Sequence, residues 1–321
     1  MSENKKIHEL VIIGTGPAGL SAAIYTTRED IETLLIEKGV IGGLAAITDW
    51  IDNYPGFKDG LSGMDLAEAM HGQAERFGAK IELANVESLK KDGKNIVLNT
   101  TNGLITTKAL LITTGTDYKK IGVPGEDEFF GRGVHYCATC DGAFYRDKKL
   151  VVVGGGNSAV QEAIFLTKFA THIDMLVRSD KLRASEVLQH ELGNHKDKIK
   201  VHYNTTTDKI IGIEKDGFMK VSKVIGTDKK SNQKVEFSTD GVFVFVGLKP
   251  NTGFLAGSGV KLDRAGFIET DSELRTAVPG IFCAGDVRSG ATMQIASASG
   301  EGATAALKIR EFLKEHSKLE P

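Results

Sequence analysis

Long apolar runs are missing from this chain of 321 residues. No stretch reaches the roughly 18 consecutive apolar residues that a membrane-spanning helix requires, so no membrane role is expected. An excess of charge of one sign is missing too: 40 Lys and Arg stand against 42 Asp and Glu, a net charge of −2. That balance gives no broad basic face for nucleic acid. Cysteine is scarce, with three in the whole chain. An odd count at this length builds no structural disulfide framework and points to a reducing, cytoplasmic compartment. Met1–Leu10 carries lysines ahead of an apolar run, but Gly14, Gly16, Pro17 and Gly19 interrupt that run early, which argues against a signal peptide. What is present is ordinary: 41% hydrophobic and 26% charged residues, enough apolar material for two domains.

Residues 9–13 form a run rich in β-branched residues that leads straight into Gly14-Thr15-Gly16-Pro17-Ala18-Gly19 and an alanine-rich helical pattern. This is strand, glycine turn, helix. A second strand, Thr33-Leu34-Leu35-Ile36, ends on Glu37, twenty-three residues after Gly14. A carboxylate there can accept hydrogen bonds from an adenosine ribose. The same order returns at Leu150–Val153, followed by Gly154-Gly155-Gly156-Asn157-Ser158-Ala159 and a helical stretch from Val160 to Phe169. Twenty-three residues after Gly154, beyond the strand His172–Leu176, stand Val177 and Arg178, so the two units differ where the ribose is read. Alternating apolar segments at 92–98, 105–112, 220–226 and 241–246 predict strands of smaller sheets, with Asn102-Gly103 as a hairpin turn. Thr113–Thr116 and Val246–Pro250 are the expected domain crossings. The stretch Pro279–Asp286 and an amphipathic helix over about Ser299–Glu315 are placed with the first domain. The expected fold class is α/β, with two Rossmann-like dinucleotide-binding domains of three layers (ββα). The first is discontinuous, residues 1–117 with 249–321, and the second covers 118–248.

In each glycine turn the backbone can approach a pyrophosphate closely, with the anion at a helix N-terminus whose N–H groups lack intrahelical partners. A glycine turn in another α/β protein would look similar. The strand before, the helix after, Glu37 at its distance and a second copy of the unit favour the dinucleotide reading. Cys137-Ala138-Thr139-Cys140 admits three readings: half of a zinc site, buried structural cysteines, or a redox pair. The only other cysteine is Cys283, and no closely spaced His pair completes a tetrahedral set, so a redox pair is the better reading. Two thiols at this spacing can close a small disulfide and lower the attacking thiol's pKa, and Asp141 beside them could move protons. A flavin can take hydride from a nicotinamide and hand electrons to a disulfide, so two dinucleotide sites and one dithiol make a complete electron path.

The segment Gly131-Arg132-Gly133-Val134-His135-Tyr136-Cys137-Ala138-Thr139-Cys140-Asp141-Gly142, with Gly154–Val160 soon after, resembles the low-molecular-weight thioredoxin reductases. These are FAD-dependent pyridine nucleotide-disulfide oxidoreductases whose dithiol lies in the nicotinamide domain just before its glycine loop, and the resemblance covers nearly the whole chain. It implies FAD, held by Gly14, Gly16, Pro17, Ala18, Gly19, Glu37, Gly42, Gly43, Asn53, Val86 and Gly115, and by Gly285-Asp286 with Gln294 closing over the isoalloxazine end. It implies NADPH at Gly154, Gly156, Asn157, Ser158 and Ala159, with Arg178 and Arg183 on the 2′-phosphate. By the same resemblance Cys140 faces the flavin, Cys137 attacks the disulfide of thioredoxin or a thioredoxin-like protein, Asp141 is the acid or base, and the chain forms a homodimer.

The sequence departs from the family's pattern in places. The phosphate-reading segment, His-Arg-Arg and a later Arg in the family, is here Val177-Arg178-Ser179-Asp180-Lys181-Leu182-Arg183. Arg178 and Arg183 keep register and Lys181 adds charge, while Ser179 replaces an arginine and Asp180 adds a negative charge, so NADPH stays favoured. Val177 offers no carboxylate to an NADH ribose, and an enzyme fed by ferredoxin or another non-nicotinamide donor is the alternative. Ala45–Thr48 lacks the Gln that often follows the paired glycines, and Met293 stands before Gln294 where arginine is common. Cys283 reads as a small buried residue, Trp50 and Tyr54 as packing residues, and the charges from Lys308 to Lys318 as a solvated helix face. The rival functions are a ferredoxin-type NADP reductase, a dithiol oxidase delivering electrons to oxygen, and a redox sensor without turnover.

Overall fold

The computed structural model describes residues 6–317 apart from Asp49, Asp52 and Asp216; Lys318 lies outside the described residues. The chain forms two compact units, one running to Asp117 and resuming at Lys249, the other Tyr118–Leu248. In chain order the first unit contains β1 (Ile7–Ile13), α1 (Pro17–Thr27), β2 (Thr33–Glu37), α2 (Gly43–Ala46), α3 (Gly63–Arg76), β3 (Lys80–Leu83), β4 (Val86–Asp92), β5 (Asn95–Thr100) and β6 (Gly103–Ile112). After β7 (Thr116–Tyr118) the second unit follows with β8 (Val134–His135), α4 (Ala138–Asp141), a 3-10 turn (Gly142–Tyr145), β9 (Lys149–Val153), α5 (Asn157–Leu166), β10 (His172–Val177), α6 (Glu186–Gly193) and β11 (Ile199–Tyr203). It is completed by β12 (Thr205–Lys215), β13 (Phe218–Asp228), β14 (Gln233–Ser238) and β15 (Gly241–Val244). The chain returns through β16 (Leu248–Pro250), β17 (Ile281–Cys283) and α7 (Ile295–Ser317). Among the described residues no helix is long and apolar enough to cross a membrane.

The first unit is a parallel sheet in the order β3-β2-β1-β6-β17, with β6 also forming the edge of an antiparallel β4-β5-β6 meander. Side chains alternate across a strand, so neighbours face opposite layers. Leu10, Ile12, Leu35, Leu111 and Phe282 pack against helical residues such as Leu20, Leu66 and Ile309. Val11, Ile13, Leu34, Ile36 and Leu110 pack against Val86, Leu89, Ile96 and Leu98 of the meander. Both faces are apolar because both are covered. The second unit repeats the plan with a parallel β11-β10-β9-β15-β8 sheet and an antiparallel β12-β13-β14 sheet. Leu150, Val152 and Met175 face α5, while Val151, Val153 and Leu176 face Ile210, Val224 and Phe237. Burying each such side chain contributes about 1.5–3 kcal/mol.

Several element boundaries differ from the sequence reading. The segment 92–98 is not one strand: β4 ends at Asp92, Gly93 takes φ +57°, and β5 starts at Asn95. Thr100 pairs with Gly103, so the hairpin turns on Thr101-Asn102 and Gly103 opens β6. Helix α5 runs Asn157–Leu166, beginning at the glycine turn itself, because the small polar residues of its first turn carry no apolar periodicity. Helix α7 starts at Ile295, four residues before the expected Ser299. Trp50 is 42% exposed, so it is not the packing residue expected; its neighbour Ile51 turns inward at 4%.

Candidate active site

In the first unit the glycine turn joins the C-terminal end of β1 to α1, the end of a parallel sheet where ligands bind. A Cβ at Gly14, where φ is +101°, would lie 2.5 Å from the Thr113 carbonyl oxygen, and one at Gly19 would lie 2.1 Å from the Gly14 carbonyl. Those two glycines are required by packing. At Gly16 the space is open, with nothing within 4 Å of an added Cβ. Gly16 is the N-cap of α1, it makes no side-chain cap, and the first turn holds no acidic residue. An anion therefore meets room, unpaired N–H groups and the positive end of the helix dipole.

Glu37, at the end of β2, is held facing this turn. Its Oε2 accepts the Thr15 N–H at 2.9 Å and the Thr15 hydroxyl at 2.7 Å, while Oε1 accepts the Gly39 N–H at 2.8 Å. A carboxylate oxygen accepts about two hydrogen bonds, which leaves Oε1 capacity for a ligand hydroxyl. Beside it lies a cavity of about 400 Å³ lined by Gly14, Glu37, Val86, Thr114, Asn251 and Phe254. Gly115 (φ +62°) accepts the Asn251 N–H at 3.0 Å at its edge. The Gly42 N–H reaches the Thr15 carbonyl at 3.0 Å, and an added Cβ on Gly43 would sit 3.6 Å from Gly16 Cα, so both paired glycines border the turn. Asn53 Nδ2 donates to Gln294 Oε1 at 3.2 Å, which brings these two residues together.

Gly285 closes against α1: an added Cβ would stand 3.0 Å from Ala18 Cβ. Its N–H donates to Glu301 Oε2 at 2.8 Å, and Arg288 Nη2 donates to Glu301 Oε1 at 2.5 Å. Burial, and then the Glu301 charge, pushes the Asp286 carboxyl up to about 6. Burial likewise pushes the Cys283 thiol up, so it stays an inert neutral group. Sequence reasoning missed the Arg288–Glu301 pair, whose members are thirteen residues apart and carry no motif.

In the second unit the turn between β9 and α5 has the same design. An added Cβ on Gly154 would lie 2.4 Å from the Phe245 carbonyl oxygen, while one on Gly156 meets nothing within 4 Å. Gly156 is the N-cap of α5, whose first turn, containing Asn157, Ser158 and Ala159, holds no acidic residue. Val177 is 2% exposed at the end of β10, with no carboxylate in Glu37's role. The following loop folds back over the turn: the Arg183 N–H donates to the Gly155 carbonyl at 2.7 Å, and the Ser185 N–H to Asn157 Oδ1 at 2.9 Å. Arg178 and Arg183 are both exposed there. A further cation, unforeseen from sequence, joins them from the β13–β14 hairpin. Lys229 is fixed by its N–H to Asn204, which is itself bonded to Ser179, and Lys229 Nζ lies 3.4 Å from the Arg178 carbonyl oxygen.

The dithiol lies between β8 and β9 of this unit. Cys137 and Cys140 are joined as a disulfide, with their Cα atoms 5.3 Å apart. The Cys140 N–H donates to Cys137 Sγ at 3.2 Å, making the sulfur the cap of α4. On one side Tyr136 anchors the approach by donating its hydroxyl to Glu126 at 2.7 Å. Asp141 follows in α4, and its Oδ2 lies 3.3 Å from His135 Nδ1. That ring's Nε2 lies 2.7 Å from the Tyr145 hydroxyl. Neither His135 nor Tyr145 was singled out from sequence, although His135 stands inside the segment that carries the resemblance.

Residues 8–302 match the model of the family described as pyridine nucleotide-disulphide oxidoreductase. The chain is 42% identical over 316 residues to the thioredoxin reductase of Bacillus subtilis, covering 98% of this chain and 97% of that protein. It is 41% identical over 316 residues, with the same coverage, to the thioredoxin reductase of Listeria innocua. The crystal structure of thioredoxin reductase from Streptococcus pyogenes matches with a TM-score of 0.89 at 38% identity, covering 96% of this chain and 99% of that one. The chain belongs to the pyridine nucleotide-disulphide oxidoreductase family, as an FAD-dependent disulfide oxidoreductase of the thioredoxin reductase type.

Proposed function

We propose that the enzyme takes electrons from NADPH and delivers them, through bound FAD and the Cys137/Cys140 pair, to the disulfide of thioredoxin or a thioredoxin-like protein. The observation that carries this reading is the closed Cys137–Cys140 disulfide, set in the same unit as the second glycine turn and next to the carboxylate of Asp141. The first unit would hold FAD: Gly14, Gly16, Pro17, Ala18 and Gly19 at the pyrophosphate, Glu37 at the adenosine ribose, and Val86 and Gly115 around the cavity. Gly42, Gly43, Asn53, Gly285, Asp286 and Gln294 would hold the rest. The second would hold NADPH at Gly154, Gly156, Asn157, Ser158 and Ala159, with Arg178, Arg183 and Lys229 around the 2′-phosphate.

Bound FAD supplies the two-electron acceptor that links a hydride donor to a disulfide, chemistry that side chains lack. The protein's own residues carry the rest. In the reduced dithiol, Cys137 Sγ attacks the partner's disulfide and the departing partner sulfur takes a proton held at Asp141. Cys140 then gives its proton to Asp141 and attacks Cys137 Sγ, which breaks the mixed disulfide and restores the Cys137–Cys140 bond. The second partner sulfur leaves and is protonated. The reading extends to a homodimer working in the cytoplasm. NADPH oxidation that depends on oxidised thioredoxin tests it; reduction by ferredoxin with none by NADPH would replace the donor, and NADPH oxidation that needs only oxygen would replace the acceptor.

A further inference from the structure

His135 is a buried residue, 8% exposed, standing two positions before Cys137 on β8. Successive strand residues face opposite ways, so Tyr136 turns to Glu126 while His135 turns to the face that α4 covers. The ring lies 5.2 Å from the Phe243 ring in a stacked arrangement and meets Tyr145 edge-on at 5.3 Å. Tyr145 is itself edge-on to Phe243 and packs where Gly241 leaves space, since a Cβ there would lie 2.4 Å from Tyr145 Cε1. The ring is therefore held in one orientation, with one nitrogen toward Asp141 and the other toward Tyr145.

The hydrogen positions follow from the partners. Burial, and then the charges of Asp141 and Asp240, push Tyr145 ionisation up, so its hydroxyl keeps its proton. Nδ1 faces the Asp141 carboxylate, which can only accept, so the proton of a neutral imidazole sits on Nδ1 and the Tyr145 hydroxyl donates to Nε2. The titratable groups around the ring are Asp141 from α4, Tyr145 from the 3-10 turn and, behind Tyr145, Asp240 ahead of β15. Asp240 Oδ2 is held by the Lys149 N–H at 2.9 Å.

We propose that His135 is a positioning residue for disulfide exchange: Tyr145 fixes its tautomer, and its Nδ1, 3.3 Å from Asp141 Oδ2, holds the Asp141 side chain in place beside the dithiol. This rests on the reading of Asp141 as the acid-base group. The step it serves is the transfer of the Cys140 proton to Asp141, with Cys140 Sγ then displacing the partner's sulfur from Cys137. The dithiol loses two electrons, the partner's disulfide gains them, and the proton on Asp141 passes to the departing sulfur.

The test compares His135→Phe, His135→Asn and Tyr145→Phe as flavin-loaded holoenzymes. Two readouts are taken across pH: kcat/KM for oxidised thioredoxin, and the rate of iodoacetamide alkylation of the reduced dithiol. An asparagine amide can replace the Nδ1–H donor and a phenylalanine cannot. His135→Phe lowers both rates roughly tenfold, the loss of one contact to a charged partner. Tyr145→Phe gives a smaller loss in the same direction, and His135→Asn restores the wild-type rates. Unchanged rates in His135→Phe, or equal losses in the Phe and Asn variants, overturn the proposal. The alkylation profile separates this from the wider reading: if the wild-type enzyme ignores thioredoxin but His135→Phe still shows the predicted loss in alkylation rate, His135 is upheld and the choice of partner sinks.

Discussion

The Cys140 backbone N–H lies 3.2 Å from Cys137 Sγ and donates to it. An N–H aimed at a sulfur favours negative charge on that sulfur. This contact supports the proposed outward attack by Cys137.

The first prediction follows directly. Cys140→Ser accumulates a stable mixed disulfide between Cys137 and thioredoxin, visible by mass spectrometry, while Cys137→Ser accumulates little. Trapping mainly through Cys140 would reverse the assignment.

Gly14 and Gly16 separate folding from binding. Gly14→Ala forces a Cβ to 2.5 Å from the Thr113 carbonyl oxygen at φ +101°, so stability falls, by about 1–3 kcal/mol or more. Gly16→Ala has φ −66° and open space, so the polypeptide folds with near wild-type stability. Its methyl group nevertheless occupies the room over the α1 N-terminus. Purified Gly16→Ala is expected to be folded and flavin-poor, read from the ratio of flavin to protein absorbance; full flavin occupancy would show that the anion lies elsewhere.

Much of this was legible before any coordinates. Strand, glycine turn and helix announce themselves by period and by local chemistry, and the position of Glu37 follows from counting along one βαβ unit. The bonds that orient Glu37 were not legible, because Thr15 and Gly39 are generic residues whose roles depend on how the turn closes. Lys229 was hidden for a different reason. It reaches the Arg178 loop through pairings of the β12–β13–β14 sheet, a long-range register that residue spacing does not encode. His135 and Tyr145 meet only because β8 and the 3-10 turn face the same side of the parallel sheet.

Lys229 gives the second binding prediction. Lys229→Ala and Arg183→Ala each raise KM for NADPH roughly five- to tenfold, about 1 kcal/mol of charge-assisted contact, and leave KM for NADH within twofold. Steady-state kinetics with both nucleotides checks this. Equal effects on NADH would mean that these cations do not read the 2′-phosphate.

Asp286 sets a pH dependence in the flavin-free protein. Its folded carboxyl titrates near 6, above the ordinary value of 3.8, so the folded state binds the proton more tightly than the unfolded chain. The resulting stability is present below about pH 4 and is lost as pH rises through about 6. Asp286→Asn removes that loss, so the variant's stability relative to wild type is higher at pH 8 than at pH 4 by on the order of 1–3 kcal/mol. Urea unfolding at the two pH values measures the difference, and a pH-independent difference would contradict it.

The most direct test follows the flavin absorbance near 450 nm (roughly, the usual flavin band) in an anaerobic rapid-mixing experiment. The account predicts rapid bleaching by NADPH, recovery on adding oxidised thioredoxin, and no recovery in the Cys137→Ser/Cys140→Ser double variant. Bleaching by NADPH followed by recovery in that double variant would contradict it, because the electrons would then have reached the acceptor without the dithiol.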